Sequence, residues 1–199
     1  MPEAGRVIGG SARGIRLEGP RGGTTRPLSD RVKESLFGAL EAEGVVGAGR
    51  AFLDLFAGSG AAGIEALSRG CARAVLVEGD AAACRVIEEN LRRTRLGGGT
   101  VVSGDVGRFL AGSGATHGGP FDAVLADPPY DGAELEPALR LLGDVDLDWL
   151  AAGSIAVAKH FWRDAPPAQI GGLARYRERR FGETMLSFYR YAATQGKVA

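Results

Sequence analysis

From residue 50 onward, short apolar runs alternate with longer amphipathic ones. Ala51–Phe56, Ala74–Glu78, Thr100–Ser103, Phe121–Ala126 and Ser154–Ala158 read as buried strands. Between them, Gly60–Arg69, Ala81–Arg95, Val106–Leu110 and Glu134–Leu142 carry helical patterning. That alternation predicts an α/β fold with a mostly parallel sheet covered on both faces. Leu173–Phe181 and Met185–Tyr191, joined by Gly182-Glu183-Thr184, predict a C-terminal antiparallel hairpin on one edge.

The first 49 residues are patterned differently and are expected to form an N-terminal extension to a main domain over residues 50–194. Arg6–Gly9 and Gly14–Leu17, around Ser11-Ala12-Arg13, predict a small hairpin. Ser29 is placed to cap a helix, with Asp30 in its first turn. Val32, Leu36 and Leu40 then recur at a spacing of four, one apolar stripe on a helix ending near Gly44. Gly112–Pro120 reads as a flexible loop with a solvated His117.

At 199 residues the chain can bury one sizeable core. Its 45% hydrophobic and 24% charged content is that of a soluble domain, and no apolar run approaches the roughly 18 residues of a membrane span. The start, MPEAGRVIGG, lacks the apolar stretch of a signal peptide, so a cytoplasmic protein is expected; it is also expected to be a monomer. Cys71, Cys84, His117 and His160 form no ligand cluster, so no metal is expected. Net charge is zero but unevenly spread. Residues 1–33 and 159–190 each hold six arginines and one lysine against three acids, whereas residues 127–150 hold seven acids against Arg140. Basic ends around an acidic middle permit a polyanionic partner without requiring one.

Two stretches carry chemistry. In AFLDLFAGSGAAGIEAL, residues 51–67, Gly58, Gly60 and Gly63 satisfy the dinucleotide spacing, and Glu78 ends the next strand 20 residues beyond Gly58. Asp54 argues against a dinucleotide, because an acid beside the loop repels a pyrophosphate. It suits a cationic group such as the ammonium of a methionine moiety, and Glu78 suits two ribose hydroxyls. S-adenosylmethionine therefore fits better than a dinucleotide, with the glycines letting the backbone approach it. Asp105 reads either as a contact to the adenine amine, with Val106 beneath the ring, or as an ordinary helix cap.

The second stretch is FDAVLADPPYDG, residues 121–132. Its two prolines remove two donors and fix two φ angles, making a stiff corner at the end of a strand. That corner lies at the carboxyl edge of the sheet, beside the glycine loop. Asp127 and the Pro128 carbonyl can accept the two hydrogens of an aromatic amine and aim its lone pair at a methyl donor. Tyr130 can stack on an extruded base. Methylation at cytosine C5 needs a cysteine nucleophile in this loop, and none is present. Cys71 and Cys84 read as small core residues.

Together these residues resemble the RsmD-type bacterial 16S rRNA guanine-N2 methyltransferases, within the Rossmann-like class I S-adenosylmethionine-dependent enzymes. The likeness runs through RVIGG (6–10), Arg26-Pro27 with DRVKESLF (30–37), LDLFAGSGAAGIEALSRG (53–70), VEGD (77–80), ADPPY (126–130) and FGETMLSFYRY (181–191). The glycine loop and ADPPY specify only the class, whereas the two terminal blocks are more specific. The resemblance implies methyl transfer to N2 of one guanine of 16S rRNA, in the 30S subunit or an assembly intermediate. It implies Asp127, Pro128, Pro129 and Tyr130 as catalytic residues, and Asp54, Phe56, Gly58, Gly60, Glu78, Gly79, Asp105, Val106 and Asp127 around the cofactor. RNA contact would fall on Arg6, Arg13, Arg26, Pro27 and Arg31, with arginine–phosphate contacts supplying affinity more than base choice.

Two departures stand out. Leu28-Ser29 replaces a frequent threonine pair. Lys159 and His160, read as strand-end surface residues, stand where the family commonly has an acid. Two alternatives remain open: an adenine-N6 methyltransferase acting on DNA or RNA, and a non-catalytic ribosome-assembly factor.

Overall fold

The computed structural model of the chain describes residues 3–20, 28–129 and 133–192. Strands β1 (Glu3–Arg6) and β2 (Arg16–Glu18) pair antiparallel, and α1 (Asp30–Ala42) follows. The Ser29 hydroxyl accepts the Val32 N–H at its start, as the capping pattern predicts. Then come β3 (Ala51–Leu55), α2 (Ala61–Ser68), β4 (Arg73–Glu78), α3 (Ala81–Thr94), β5 (Gly99–Ser103), α4 (Val106–Leu110), β6 (Phe121–Ala126) and α5 (Leu135–Leu142). Finally β7 (Leu150–Phe161), β8 (Gln169–Ile170), β9 (Leu173–Phe181) and β10 (Thr184–Tyr191) complete the sheet. Its order is β5-β4-β3-β6-β7-β10-β9-β8, with β3 to β7 parallel and the last three antiparallel.

Strand periodicity divides the core in two. Phe52, Leu76, Leu125 and Phe188 face α1, α2 and α3, while Leu53, Val75, Val124 and Tyr189 face α4 and α5. Leu36, Phe37 and Leu40 of α1 are fully buried in the first of these cores, so this helix covers the sheet as closely as the crossover helices do.

The N-terminal hairpin is held by the far end of α2. Ser11 N–H donates to Ser68 O at 2.8 Å, and Ala12 N–H to Ser68 Oγ at 2.9 Å. A Cβ on Gly10 would come within 1.8 Å of Ser68 O, and on Gly9 within 2.4 Å of Arg69 Nη2. Gly10 is therefore required by packing against backbone, whereas at Gly9 the obstacle is the movable end of the Arg69 side chain. Two buried charges reinforce the join: Glu65 accepts the Ile8 N–H at 2.8 Å, and Lys33 Nζ donates to the Arg6 carbonyl.

The structure changes two sequence expectations. Gly112–Pro120 contains a 3-10 turn over Gly114–His117, and His117 is half-buried. Its ring packs edge-on to Phe109, centroids 4.7 Å apart, beside the fully buried Trp149 at 5.7 Å. The strand expected over Ser154–Ala158 extends to Phe161, because β10 pairs with it as far as Thr184 opposite Phe161. Lys159 and His160 thereby become interior strand positions, 7% and 4% exposed, and not the surface residues expected.

Phe37 contacts Phe52 of β3, ring centroids 5.8 Å apart. Phe37→Ala should cost about 3–5 kcal/mol in denaturant unfolding, with one cooperative transition retained. A loss below about 1 kcal/mol would mean that α1 docks loosely.

Candidate active site

Strands β4, β3 and β6 are neighbours, and each carries an acid at or next to its carboxyl end: Glu78, Asp54 and Asp127. Connections leave β3 in opposite directions here, the switch point at which open α/β sheets bind ligands.

Asp54 is 2% exposed and accepts the Gly63 N–H at 2.8 Å. It thus caps α2 from a strand, since Gly60 at the N-cap has no side chain to do so. Burial holds its carboxyl well above the usual range, and the charges of Asp127 and Glu78 push the same way. Glu78 is half-buried; Oε2 accepts the Gly58 N–H and Oε1 the Asp80 N–H, both at 2.8 Å. Each oxygen retains a second lone pair.

The connecting loop is strained. Phe56 adopts φ +61°, a conformation costing a bulky side chain about 1–3 kcal/mol. The three glycines of the motif do different jobs. A Cβ on Gly60 would meet Ile87 at 2.8 Å and on Gly63 would meet Leu76 at 2.6 Å, so both serve helix packing. A Cβ on Gly58 would meet nothing within 4 Å, which leaves only that glycine beside open space. Asp105 is exposed and caps α4 through the Arg108 N–H at 2.8 Å, while Val106 is core, 4% exposed. Gly79 is exposed beside Glu78.

Asp127 N–H donates to Leu55 O at 3.3 Å, tying the β6 corner to the end of β3. Its carboxylate, about one-fifth exposed, pairs with Lys159 Nζ at 2.5 Å. Burial raises the Asp127 pKa and the Lys159 ammonium opposes that rise. Sequence reasoning missed this partner, because the Lys159–Asp127 contact depends on β7 lying directly beside β6. Pro128 is buried and Pro129 exposed; Tyr130 lies outside the described residues. A cavity of about 660 Å³ opens beyond the two prolines, lined also by Leu135, Lys159, Phe161 and Asp164. His160, next to Lys159, is bonded through Nε2 to Ser187 Oγ at 2.8 Å, a cross-strand tie inside the sheet.

The expected RNA-contact residues are not all together. Arg6 pairs with Asp30 at 3.1 Å near the start of α1, and Arg31 stands over the Phe181 ring at 5.8 Å. Arg13 is at the hairpin tip bonded to Ser68, the opposite end of α2 from the glycine loop. Arg26 and Pro27 lie outside the described residues.

A parallel sheet with a glycine loop and an Asp-Pro-Pro corner at its switch point defines the Rossmann-like methyltransferase class. Within that class, the chain belongs to the family described as conserved hypothetical protein 95, which matches residues 5–190 and corresponds to the RsmD group. It is 35% identical over 186 residues to the putative rRNA methyltransferase YlbH of Bacillus subtilis, covering 93% of this chain and 98% of that protein. It is 36% identical over 188 residues to ribosomal RNA small subunit methyltransferase D of Escherichia coli K12, covering 94% and 90%. The solved structure of putative methyltransferase yhhF from Escherichia coli superposes with a TM-score of 0.83 at 34% identity, covering 96% and 99% of the two chains.

Because the folded pKa of Asp54 stands above its ordinary value of 3.8, the folded state binds that proton more tightly. Its contribution to stability is therefore greatest below about pH 4 and falls as pH rises through the folded pKa. Asp54→Asn keeps the acceptor for Gly63 and removes the buried charge. Its melting temperature at pH 7 should exceed that of the parent, by about 2–4 °C per kcal/mol recovered; an equal or lower value would refute the burial cost.

Proposed function

We propose that the chain transfers a methyl group from S-adenosylmethionine to the exocyclic N2 amine of a guanine in 16S rRNA, within the small subunit or its assembly intermediate. One observation carries the reading: the Asp127-Pro128 corner stands between a cleft of converging carboxylates and a cavity with room for a base. The names of the relatives agree with it.

The residues of the cleft fit the cofactor. The charges of Asp127 and Glu78 raise the cost of ionising the buried Asp54, a situation that a cationic ligand relieves and a pyrophosphate worsens. Gly58 presents bare backbone to open space, and Glu78 keeps lone pairs for ribose hydroxyls. S-adenosylmethionine supplies a methyl group made electrophilic by its sulfonium.

The protein's own work is on the amine. Asp127 accepts one N–H and the Pro128 carbonyl the other, so the nitrogen lone pair is aimed across the corner into the cleft. As positive charge develops on nitrogen, the Asp127 carboxylate stabilises it. Lys159 fixes that carboxylate in direction and opposes the rise in pKa that burial imposes on it. The proton then leaves the cationic nitrogen for water in the open cavity.

Removing the ammonium leaves the effect of burial unopposed, so Lys159→Met should move the acid limb of the pH–rate profile to higher pH, with Lys159→Arg restoring it. An unmoved limb would show that Lys159 does not tune Asp127.

Nucleoside mass spectrometry of unmethylated 30S subunits and naked 16S rRNA, incubated with protein and labelled cofactor, tests the reaction. N2-methylguanosine is expected; N6-methyladenosine, or no label in either substrate, would overturn the assignment. Asp127→Ala should lower the rate by about 10²–10³-fold while the stabilisation by added cofactor persists. Loss of both would make Asp127 structural.

A further inference from the structure

The arginines of this chain divide by partner. Many are neutralised: Arg6 by Asp30 at 3.1 Å, Arg69 by Glu65 at 2.7 Å, Arg190 by Glu43 at 2.6 Å. Arg31, Arg163 and Arg180 differ. All three are exposed, and no carboxylate among the described residues is within ion-pair range of them. They stand over rings instead. Arg180 lies 4.0 Å and Arg163 4.7 Å from the Trp162 ring centroid, and Arg31 lies 5.8 Å from that of Phe181.

The sheet brings these residues to one edge. β7 runs parallel to β6, so Trp162 and Arg163 follow its carboxyl end, the edge that also carries Asp127. Thr184 pairs with Phe161, and Trp162 N–H donates to Glu183 O at 3.0 Å, which sets the β9–β10 turn with Arg180 and Phe181 alongside. Arg31 arrives from the first turn of α1. Phe161 and Asp164, on either side of Trp162-Arg163 in sequence, line the cavity beyond Pro128 and Pro129. Trp162 and Arg163 therefore stand beside that cavity, with Arg180 over the indole. Asp164 and Glu183 share the edge, so positive charge exceeds negative only modestly. Stacking planes, more than net charge, distinguish the surface.

We propose that Trp162, Arg163 and Arg180, extended by Arg31 and Phe181, are a stacking rim that holds the unpaired nucleotides flanking the target base. The proposal rests on the rRNA reading above. A guanidinium lying over an indole offers a flat cationic layer on which a base can stack while the charge meets the adjoining phosphate. Such stacking tolerates any base, which suits flanking nucleotides and leaves choice of the target to the cavity.

Methyl transfer to unmethylated 30S subunits over a range of salt concentrations tests the rim. Trp162→Ala, and the double variant Arg163→Gln/Arg180→Gln, should each raise KM for the subunit about tenfold, with kcat and the thermal shift on adding cofactor unchanged. The double variant alters only exposed side chains, so its result is not confounded by folding. It should also reduce the slope of log affinity against log salt by about 2. An unchanged KM in both variants overturns the rim while leaving the methyltransferase reading intact, because the wild type reports that activity in parallel. A raised KM with an unchanged salt slope would assign the surface to a protein component of the subunit and overturn the RNA assignment. A wild type that transfers no methyl group refutes the rRNA reading, and the rim with it.

Discussion

Three neighbouring parallel strands deliver three carboxylates to one edge, and the site is built around the cost of that arrangement. Burial opposes ionisation at Asp54 and Asp127, and at Asp54 the charges of Asp127 and Glu78 push the same way. The fold offsets the cost differently for each. Asp54 takes a backbone N–H at the start of α2, Glu78 takes two from its own loop region, and Asp127 takes an ammonium from β7. What remains uncompensated favours a cation entering between them. The strained backbone at Phe56 fits the same account, because the chain must turn sharply between Asp54 and the N-terminus of α2.

The Lys159–Asp127 pair sets the electrostatics of the corner. An acid at that position would add a further negative charge to the cleft, whereas lysine subtracts one. The proline corner fixes where Asp127 stands and the lysine biases its charge.

The two ends of the chain, basic in sequence, are not equally basic in space. The N-terminal arginines are partly spent on local structure, Arg6 on Asp30 and Arg16 on Glu3, and Arg13 is carried away from the cleft by the hairpin's attachment to Ser68. Three arginines that stand over rings, Arg31, Arg163 and Arg180, lie where α1, β7 and the β9–β10 turn meet, on the same edge as the candidate active site.

Much of this protein was legible in one dimension. Apolar runs, helical stripes, the Ser29 cap and the terminal hairpin report local propensity and burial, which neighbouring residues encode. The glycine loop and the Asp-Pro-Pro corner were legible for the same reason, since their conformations are set by the residues themselves. Long-range facts were not. That Lys159 meets Asp127, that Gly60 and Gly63 serve packing while Gly58 faces open space, and that His117 fills a gap beside Trp149 all depend on which elements become neighbours. The sequence alone determined the elements, their α/β order and the chemical groups near the sheet edge, because these follow from short-range sterics and hydrophobic periodicity. Only the tertiary structure decided which charges are neutralised and which stay available, because an ion pair such as Arg190 with Glu43 joins residues 147 positions apart and no local pattern records it.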